Sequence, residues 1–266
     1  MSVADIDIIF QNELVLVINK PSGLSVTTDR NGSFFLRDAL KKILPEKTIE
    51  SIRLIHRLDK DTSGVMVLAK NKEAQTIFSQ AFEKREVRKT YLALVSGIPP
   101  AESGVIDAPI SGQPTGKNIF RIDRKGKSAS TEWRVLANFG HISLLAVNPL
   151  TGRTHQIRIH LPSIGLEMVV DSLYSTSNGL YLSDFKSGYK LGKFEEEKPL
   201  IDRLTLHAYQ LEFPNPPPNC PNLFIAPLDK KFKAAIKMLT KYNRKGLAAF
   251  KNPEIYQKIL TASNID

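Results

Sequence analysis

Hydrophobic and polar positions recur along this chain with two periods, and the switches between them mark its elements. Ile6–Phe10 and Leu14–Ile18 each read as a strand, joined around Asn12-Glu13 in a hairpin signal. Leu36, Ala39, Leu40, Ile43 and Leu44 fall at helical spacing behind a candidate cap at Ser33, and Pro45 ends that pattern. The run from Ile52 to Asp59 begins strand-like and enters the turn-rich Lys60-Asp-Thr-Ser-Gly64, after which Val65–Ala69 resumes as a buried strand. Asn71 stands where it would cap a helix with the apolar stripe Ala74, Ile77, Phe78, Ala81 and Phe82. Lys89–Ser96 reads as a strand with Tyr91, Ala93 and Val95 on one face.

Residues 111–127 read as a Gly-rich, basic, mobile loop carrying Lys117, Arg121, Arg124, Lys125 and Lys127, with strands near 130–137 and 141–147. Thr151–Leu161 predicts a short helix with Thr151 as cap, broken by Pro162. Leu204–Phe213 and Leu223–Ala226 are further strands. From Asp229 on the pattern is helical, with Phe232, Ala235, Ile236 and Leu239 on one face. Helices interspersed among adjacent hairpins predict an α+β fold with a mixed, mainly antiparallel sheet and flanking helices. A regular βαβ alternation is missing, which argues against a dinucleotide-binding fold. The expected organisation is one catalytic domain over residues 1–228 and a helical tail over 229–266 that packs on it or extends it.

Charge narrows the choice of partner. Among 266 residues, 37 Lys+Arg stand against 27 Asp+Glu, a net charge of +10. That balance suits a polyanion: RNA, DNA or an acidic membrane surface. The single cysteine, Cys220, rules out an internal disulfide framework, and no nearby His or second Cys could activate it. No apolar run approaches the ~18 residues of a membrane span. The start of the chain, MSVADIDIIF, lacks the basic region of a targeting segment, so a cytoplasmic location without membrane association is expected.

Three segments concentrate polar residues where strands end: 54–64, 84–91 and 148–160. The run His56-Arg-Leu-Asp-Lys-Asp-Thr-Ser-Gly64, continued by Val65 to Asn71, closely resembles the signature of the RluA-type pseudouridine synthases. Asn19-Lys-Pro-Ser-Gly23 resembles their first motif and Arg85-Glu-Val-Arg-Lys-Thr-Tyr91 the segment that carries their tyrosine. Gly152-Arg-Thr-His-Gln-Ile-Arg-Ile-His160 resembles their third motif and Leu206-His-Ala208 a late one, all in the family's order over roughly residues 10–228. The resemblance implies the pseudouridine synthase catalytic fold and isomerisation of uridine in structured RNA, ribosomal or transfer. It assigns Asp59 as the catalytic aspartate, Tyr91 as the tyrosine against the target base, Arg158 as the cation paired with the aspartate, and Arg57 as a residue that holds RNA around the extruded base. The neighbouring His56, Lys89, Lys127, Arg153, His155 and Gln156 complete the expected substrate-binding set. One departure stands out: after Ser163-Ile-Gly165 the family commonly continues with His-Pro and then Gly-Asp, where this chain has Leu166-Glu167 and Val170-Asp171. An S4-type RNA-binding module is not expected, because the first motif begins by residue 19.

The implied chemistry suits these residue types. Pseudouridine formation breaks the C1′–N1 bond, turns the uracil and joins C1′ to C5. Nothing is oxidised or hydrolysed, so no cofactor or metal is called for. An ionised carboxylate can attack C1′ or remove the 2′ proton, and sequence does not choose between these routes. Burial would raise the pKa of Asp59, and a cation within ~4–6 Å would offset that. The uridine must leave its stack, at a cost of a few kcal/mol, which phosphate contacts by the basic segments 84–89 and 117–127 could offset.

Other readings compete. Asp59 could be a turn residue. Asp59, Asp61 and His56 could be metal ligands of a phosphodiesterase, and the two aspartates could be a glycosidase pair. The flanking Arg57 and Lys60 disfavour both. His155 and His160 lie five apart on different helix faces, against a shared metal. A catalytically inactive RNA-binding relative would also keep the basic surface. No obligatory protein partner is indicated, and a monomer is expected.

Overall fold

The computed structural model describes residues 6–26, 36–113, 119–192 and 195–266. In chain order the elements are β1 (Asp7–Gln11), β2 (Val15–Lys20), α1 (Leu36–Leu40), α2 (Glu46–Ser51), β3 (Arg53–Leu54), β4 (Ser63–Ala69), α3 (Lys72–Glu83), β5 (Arg88–Ser96), β6 (Ser103–Asp107), β7 (Ile110–Gly112), β8 (Phe120–Ile122), β9 (Ser130–Asn138), β10 (Ile142–Pro149), α4 (Gln156–Ser163), β11 (Glu167–Met168), β12 (Leu206–Glu212), β13 (Leu223–Ile225), α5 (Lys230–Tyr242) and α6 (Pro253–Thr261). The mixed, mainly antiparallel α+β architecture is the one the sequence predicts.

The chain forms two compact units. The first comprises residues 1–90 and 207–227, and the second 91–206 and 228–266. In the first, β2 pairs antiparallel with both β1 and β4, and Asn12 closes the hairpin by accepting from the backbone N–H groups of Leu14 and Val15. Every residue of β4 is buried. Helix α3 starts where expected, the Asn71 side chain accepting from Ala74 N at 2.8 Å. Its stripe is narrower than predicted: Ala74 and Phe78 are buried while Ile77 is exposed. Helix α1 is also shorter, ending before Ile43, and Pro45 starts α2 instead of merely stopping a helix. Proline at the residue before a helix loses nothing, since its missing N–H would have no intrahelical partner. The cap expected at Ser33 lies outside the described residues.

Strands β4 and β12 run parallel, with His207 opposite Ser63 and Ala208 opposite Gly64. Gly64 has φ +118°, and a Cβ there would collide with the Ala208 carbonyl oxygen. The last glycine of the His56–Gly64 run is therefore required by a close backbone approach.

In the second unit β10 lies between β5 and β9, and β6 follows β9, all antiparallel. Tyr91, Ala93 and Val95 share a face, as their spacing predicts, and pack with Trp133, Val135, Leu145, Val147, Ile157 and Leu161 in one core. The basic segment 111–127 departs from the expected loop: Ile110–Gly112 and Phe120–Ile122 pair as a short hairpin, and the Lys127 backbone bridges Ile110 in both directions. Lys117 lies outside the described residues. Helix α5 is capped by Asp229 and buries Phe232, Ala235, Ile236 and Leu239. The end of the chain is tied down by Arg134, which donates to the Ile265 carbonyl and pairs with Asp266.

Gly64→Ala is expected to destabilise the protein by about 2 kcal/mol or more, because strained backbone and steric overlap coincide. A fall of at least about 4 °C in the thermal midpoint would register it, and an unchanged midpoint would contradict the close approach.

Candidate active site

The loop that carries Asp59 is assembled in the first unit around a lysine. Lys20, at the end of β2, is fully buried, and its ammonium donates to the carbonyls of Pro21, Leu24 and Lys60, each at 2.9 Å. Those three bonds match its three donors. Burying an ammonium is tolerable only with such saturation, and the third bond grips the residue next to Asp59. Ser22 adds a hydrogen bond from its hydroxyl to the Asp61 carbonyl at 2.6 Å, and Thr62 N closes a turn onto the Asp59 carbonyl. The Asn19–Gly23 motif thus clamps the Asp59–Asp61 turn. Asp59 itself is half-buried, while Arg57 and Lys60 are exposed.

Downstream of that turn, buried Ser63 contacts His207 Nδ1 at 2.9 Å, and His207 Nε2 faces the Ala226 carbonyl. The carbonyl requires the proton on Nε2, so Nδ1 accepts from the serine. The late Leu206-His-Ala208 motif therefore anchors the strand that leaves the Asp59 loop.

His56 supports the loop from another side. Its Nε2 accepts from Val67 N at 3.0 Å, and its ring stacks on Phe82 with centroids 4.5 Å apart. Burial, and then the charge of Lys89, push its pKa down to about 3. The ring is neutral, and a nitrogen that accepts from backbone is not offered to a metal ion. Burial and then the neighbouring Arg85 guanidinium lower the pKa of half-buried Lys89 as well. Among the described residues no three His, Cys, Asp or Glu side chains come together as metal ligands.

The remaining candidates belong to the second unit. Tyr91 stands on β5 opposite Val147 of β10, its ring against the core. Arg158, on α4, is 2 % exposed and meets the fully buried Asp171 in a two-pronged pair, Nε to Oδ2 at 2.7 Å and Nη2 to Oδ1 at 2.6 Å. Asp171 Oδ1 also accepts from Leu173 N and Tyr174 N, and the Arg158 guanidinium lies 5.2 Å from the Tyr174 ring centre. The sequence reading missed Asp171 as a partner of Arg158. Its signal was present, because Val170-Asp171 keeps the acid of the family's Gly-Asp and changes only the glycine.

Helix α4 begins later than expected. Thr151 does not cap it. Residue 155 is the N-cap, with His155 in the left-handed region at φ 56°, and Pro162 lies inside the last turn. A non-glycine residue there costs on the order of 1 kcal/mol. Contacts hold it: His155 Nδ1 is 2.8 Å from the Tyr174 hydroxyl, and its ring meets Phe120 and Tyr174 edge-on. Gln156 is buried and saturated. Its oxygen accepts from Thr151 Oγ1 and Arg153 N, and its amide donates to Ser130 O and Thr131 Oγ1. Thr131 Oγ1 also meets His160 Nδ1, whose other nitrogen faces the Ala108 carbonyl. Arg153 Nε donates to Ser128 O, and the Lys127 side chain is exposed.

The fold and the order of the motifs are those of a pseudouridine synthase, with an aspartate on a clamped turn, a tyrosine on β5 and an arginine fixed by its own carboxylate. The RNA pseudouridylate synthase family profile matches residues 14–163. The chain is 33% identical over 234 residues to the ribosomal large subunit pseudouridine synthase C of Buchnera aphidicola, covering 87% of this chain and 70% of that protein. It is 37% identical over 209 residues to an RNA pseudouridine synthase of Zymomonas mobilis, covering 77% and 86%. The solved structure of human RNA pseudouridylate synthase domain-containing protein 4 superposes with a TM-score of 0.65 at 28% identity, covering 87% of this chain and 92% of that one. The chain belongs to the RNA pseudouridine synthases of the RluA type, and it is an isomerase.

Removing one member of a buried ion pair leaves the other charge uncompensated. Asp171→Asn is expected to cost about 3–5 kcal/mol, measured by urea unfolding, and Arg158→Met with Asp171→Leu should recover much of the loss. A second test concerns His56. Between about pH 6.5 and pH 3 the unfolded chain takes up a proton on His56 that the folded chain refuses. Stability is therefore lost as pH falls through that window, and His56→Gln, which keeps an acceptor for Val67, should flatten the slope there. Equal slopes in the two proteins would refute the neutral, buried assignment.

Proposed function

We propose that this enzyme converts uridine to pseudouridine in the RNA of the large ribosomal subunit, with Asp59 as the reacting carboxylate. The observation that carries the reading is the clamp on the Asp59 turn. A buried ammonium, a serine hydroxyl and a strand-pairing glycine hold one carboxylate-bearing loop in a single shape, as a group that must meet one carbon atom requires. The choice of ribosomal RNA rests on the relatives named for the large subunit. In this reading Tyr91 gives the uracil a flat surface and a phenol for proton transfer. Arg158 is the cation assigned to the reacting carboxylate in this reading. Its Nε and Nη2 are fixed by Asp171, so the guanidinium is set in place before substrate arrives. The reaction needs no redox partner and no metal. Arg57, Lys89, Arg153 and Lys127 contact the phosphates around the extruded base, while Gln156 and His155 shape the loop ahead of α4. His56 acts through the loop it supports. In this reading the enzyme works in the cytoplasm.

The direct experiment incubates the protein in EDTA with RNA from cells that lack its gene, then maps pseudouridine. New pseudouridine in large-subunit RNA with intact chains is the expected result. Modification of transfer RNA alone would overturn the substrate, and RNA fragmentation would overturn the activity. Asp59→Asn should abolish conversion while RNA binding persists, and turnover in that variant would remove Asp59 from its role. Binding should weaken linearly on a log–log plot against salt, and a flat response would argue against the phosphate contacts.

A further inference from the structure

The second unit holds a cleft of about 730 Å³ that the catalytic residues do not line. Its walls are the turn between β9 and β10, the segment 183–189, and the end of α5 with residues 243–245. Inside, the Lys186 ammonium sits over two aromatic rings at once, 5.3 Å from the Tyr189 centroid and 4.8 Å from that of Tyr242. Lys241 lies over the Tyr242 ring as well, at 5.3 Å. Arg244 and Lys245 add two exposed cations and His141 a titratable ring. The one acidic residue of the lining, Asp184, turns its carboxylate to the Tyr181 backbone N–H at 2.7 Å. The cleft is thus cationic and floored by two half-buried tyrosines.

Its position is fixed by register. Tyr91 pairs with Val147 near one end of β10, whereas Ser96 pairs with Ile142 at the other, beside the cleft. Five residues of strand span ~17 Å, about the rise of five stacked nucleotides in one strand of a helix.

We propose that this cleft is a second RNA-binding site, which takes a single-stranded stretch several nucleotides from the target uridine. The inference rests on RNA being the substrate, and adds to that reading a contact remote from the chemistry. Tyr189 and Tyr242 stack a base, as aromatic side chains do with any of the four. Lys186 then moves from the rings to a phosphate, joined by Arg244 and Lys245. Phosphate charge complements the cation cluster, and the paired tyrosines favour an unpaired nucleotide over a duplex.

The test measures binding of fluorescein-labelled oligouridylates, one of about 20 nucleotides and one of about 5, to wild type, Lys186→Gln/Arg244→Gln and Tyr242→Leu. Thermal midpoints near wild type establish that the variants are folded. For the long probe, Tyr242→Leu should weaken binding at least about fivefold. The double variant should lower the slope of log affinity against log salt by about 1.4, two contacts at 0.7 each for single strands. In conversion assays on RNA the variants should raise KM and leave kcat unchanged. Neither charge of the double variant belongs to the hydrophobic core, so it remains informative if Tyr242→Leu does not fold. Wild-type affinity and salt slope in the folded double variant would overturn the cleft. If wild type binds the probes but forms no pseudouridine, the functional reading fails while the cleft stands on its own result.

Discussion

An ammonium with no exposed surface must find an acceptor for each of its three N–H groups, and this requirement organises the Asp59 loop of the first unit. Lys20 finds them in the carbonyls of Pro21, Leu24 and Lys60. Two of the three lie within four residues of it and the third is 40 residues away, so one side chain welds the end of β2 to the turn that bears Asp59. A hydrophobic residue could fill the same space but could not orient carbonyls. The Ser22 bond to Asp61 and the Gly64 approach to β12 extend the same weld, each fixing backbone rather than side chains. The side chain of residue 59 is then the variable part of a loop whose backbone has little freedom.

The second unit also buries a cation, and satisfies it with a carboxylate instead of carbonyls. Arg158 is almost fully buried on α4 and is held by Asp171 in a geometry only a guanidinium can use. Two nitrogens serve structure. His155, left-handed and pinned by Tyr174 and Phe120, sets the start of the helix that presents Arg158. The cost of that backbone conformation is offset by contacts on the same side chain.

Much of this was legible in the sequence. The hairpin at Asn12, the cap at Asn71, the shared face of Tyr91, Ala93 and Val95, and the terminal helix each follow from a local rule, since period and cap are properties of a few neighbouring residues. The family motifs located the polar segments. What escaped was non-local or two-valued. Pro45 reads as a stop because proline ends helices, yet the same residue can precede one, and α2 begins there. Thr151 looked like a cap because threonine caps helices; in the structure its hydroxyl is spent on Gln156. The pairing of Arg158 with Asp171 spans 13 residues through a loop, and no periodicity connects them.

The motif residues beyond Asp59 divide by where their hydrogen bonds end. Lys20, Ser22, His56, His207, Gln156 and His160 direct theirs into the protein's own backbone or buried side chains, and burial makes each such bond costly to leave unmade. Arg57 and Lys60 are exposed and carry charge outward. A reaction that changes only which carbon of uracil bonds to the sugar asks for little chemical equipment. Most of the signature is therefore spent on rigidity, and the buried ammonium at one end and the buried guanidinium at the other are its two most demanding commitments.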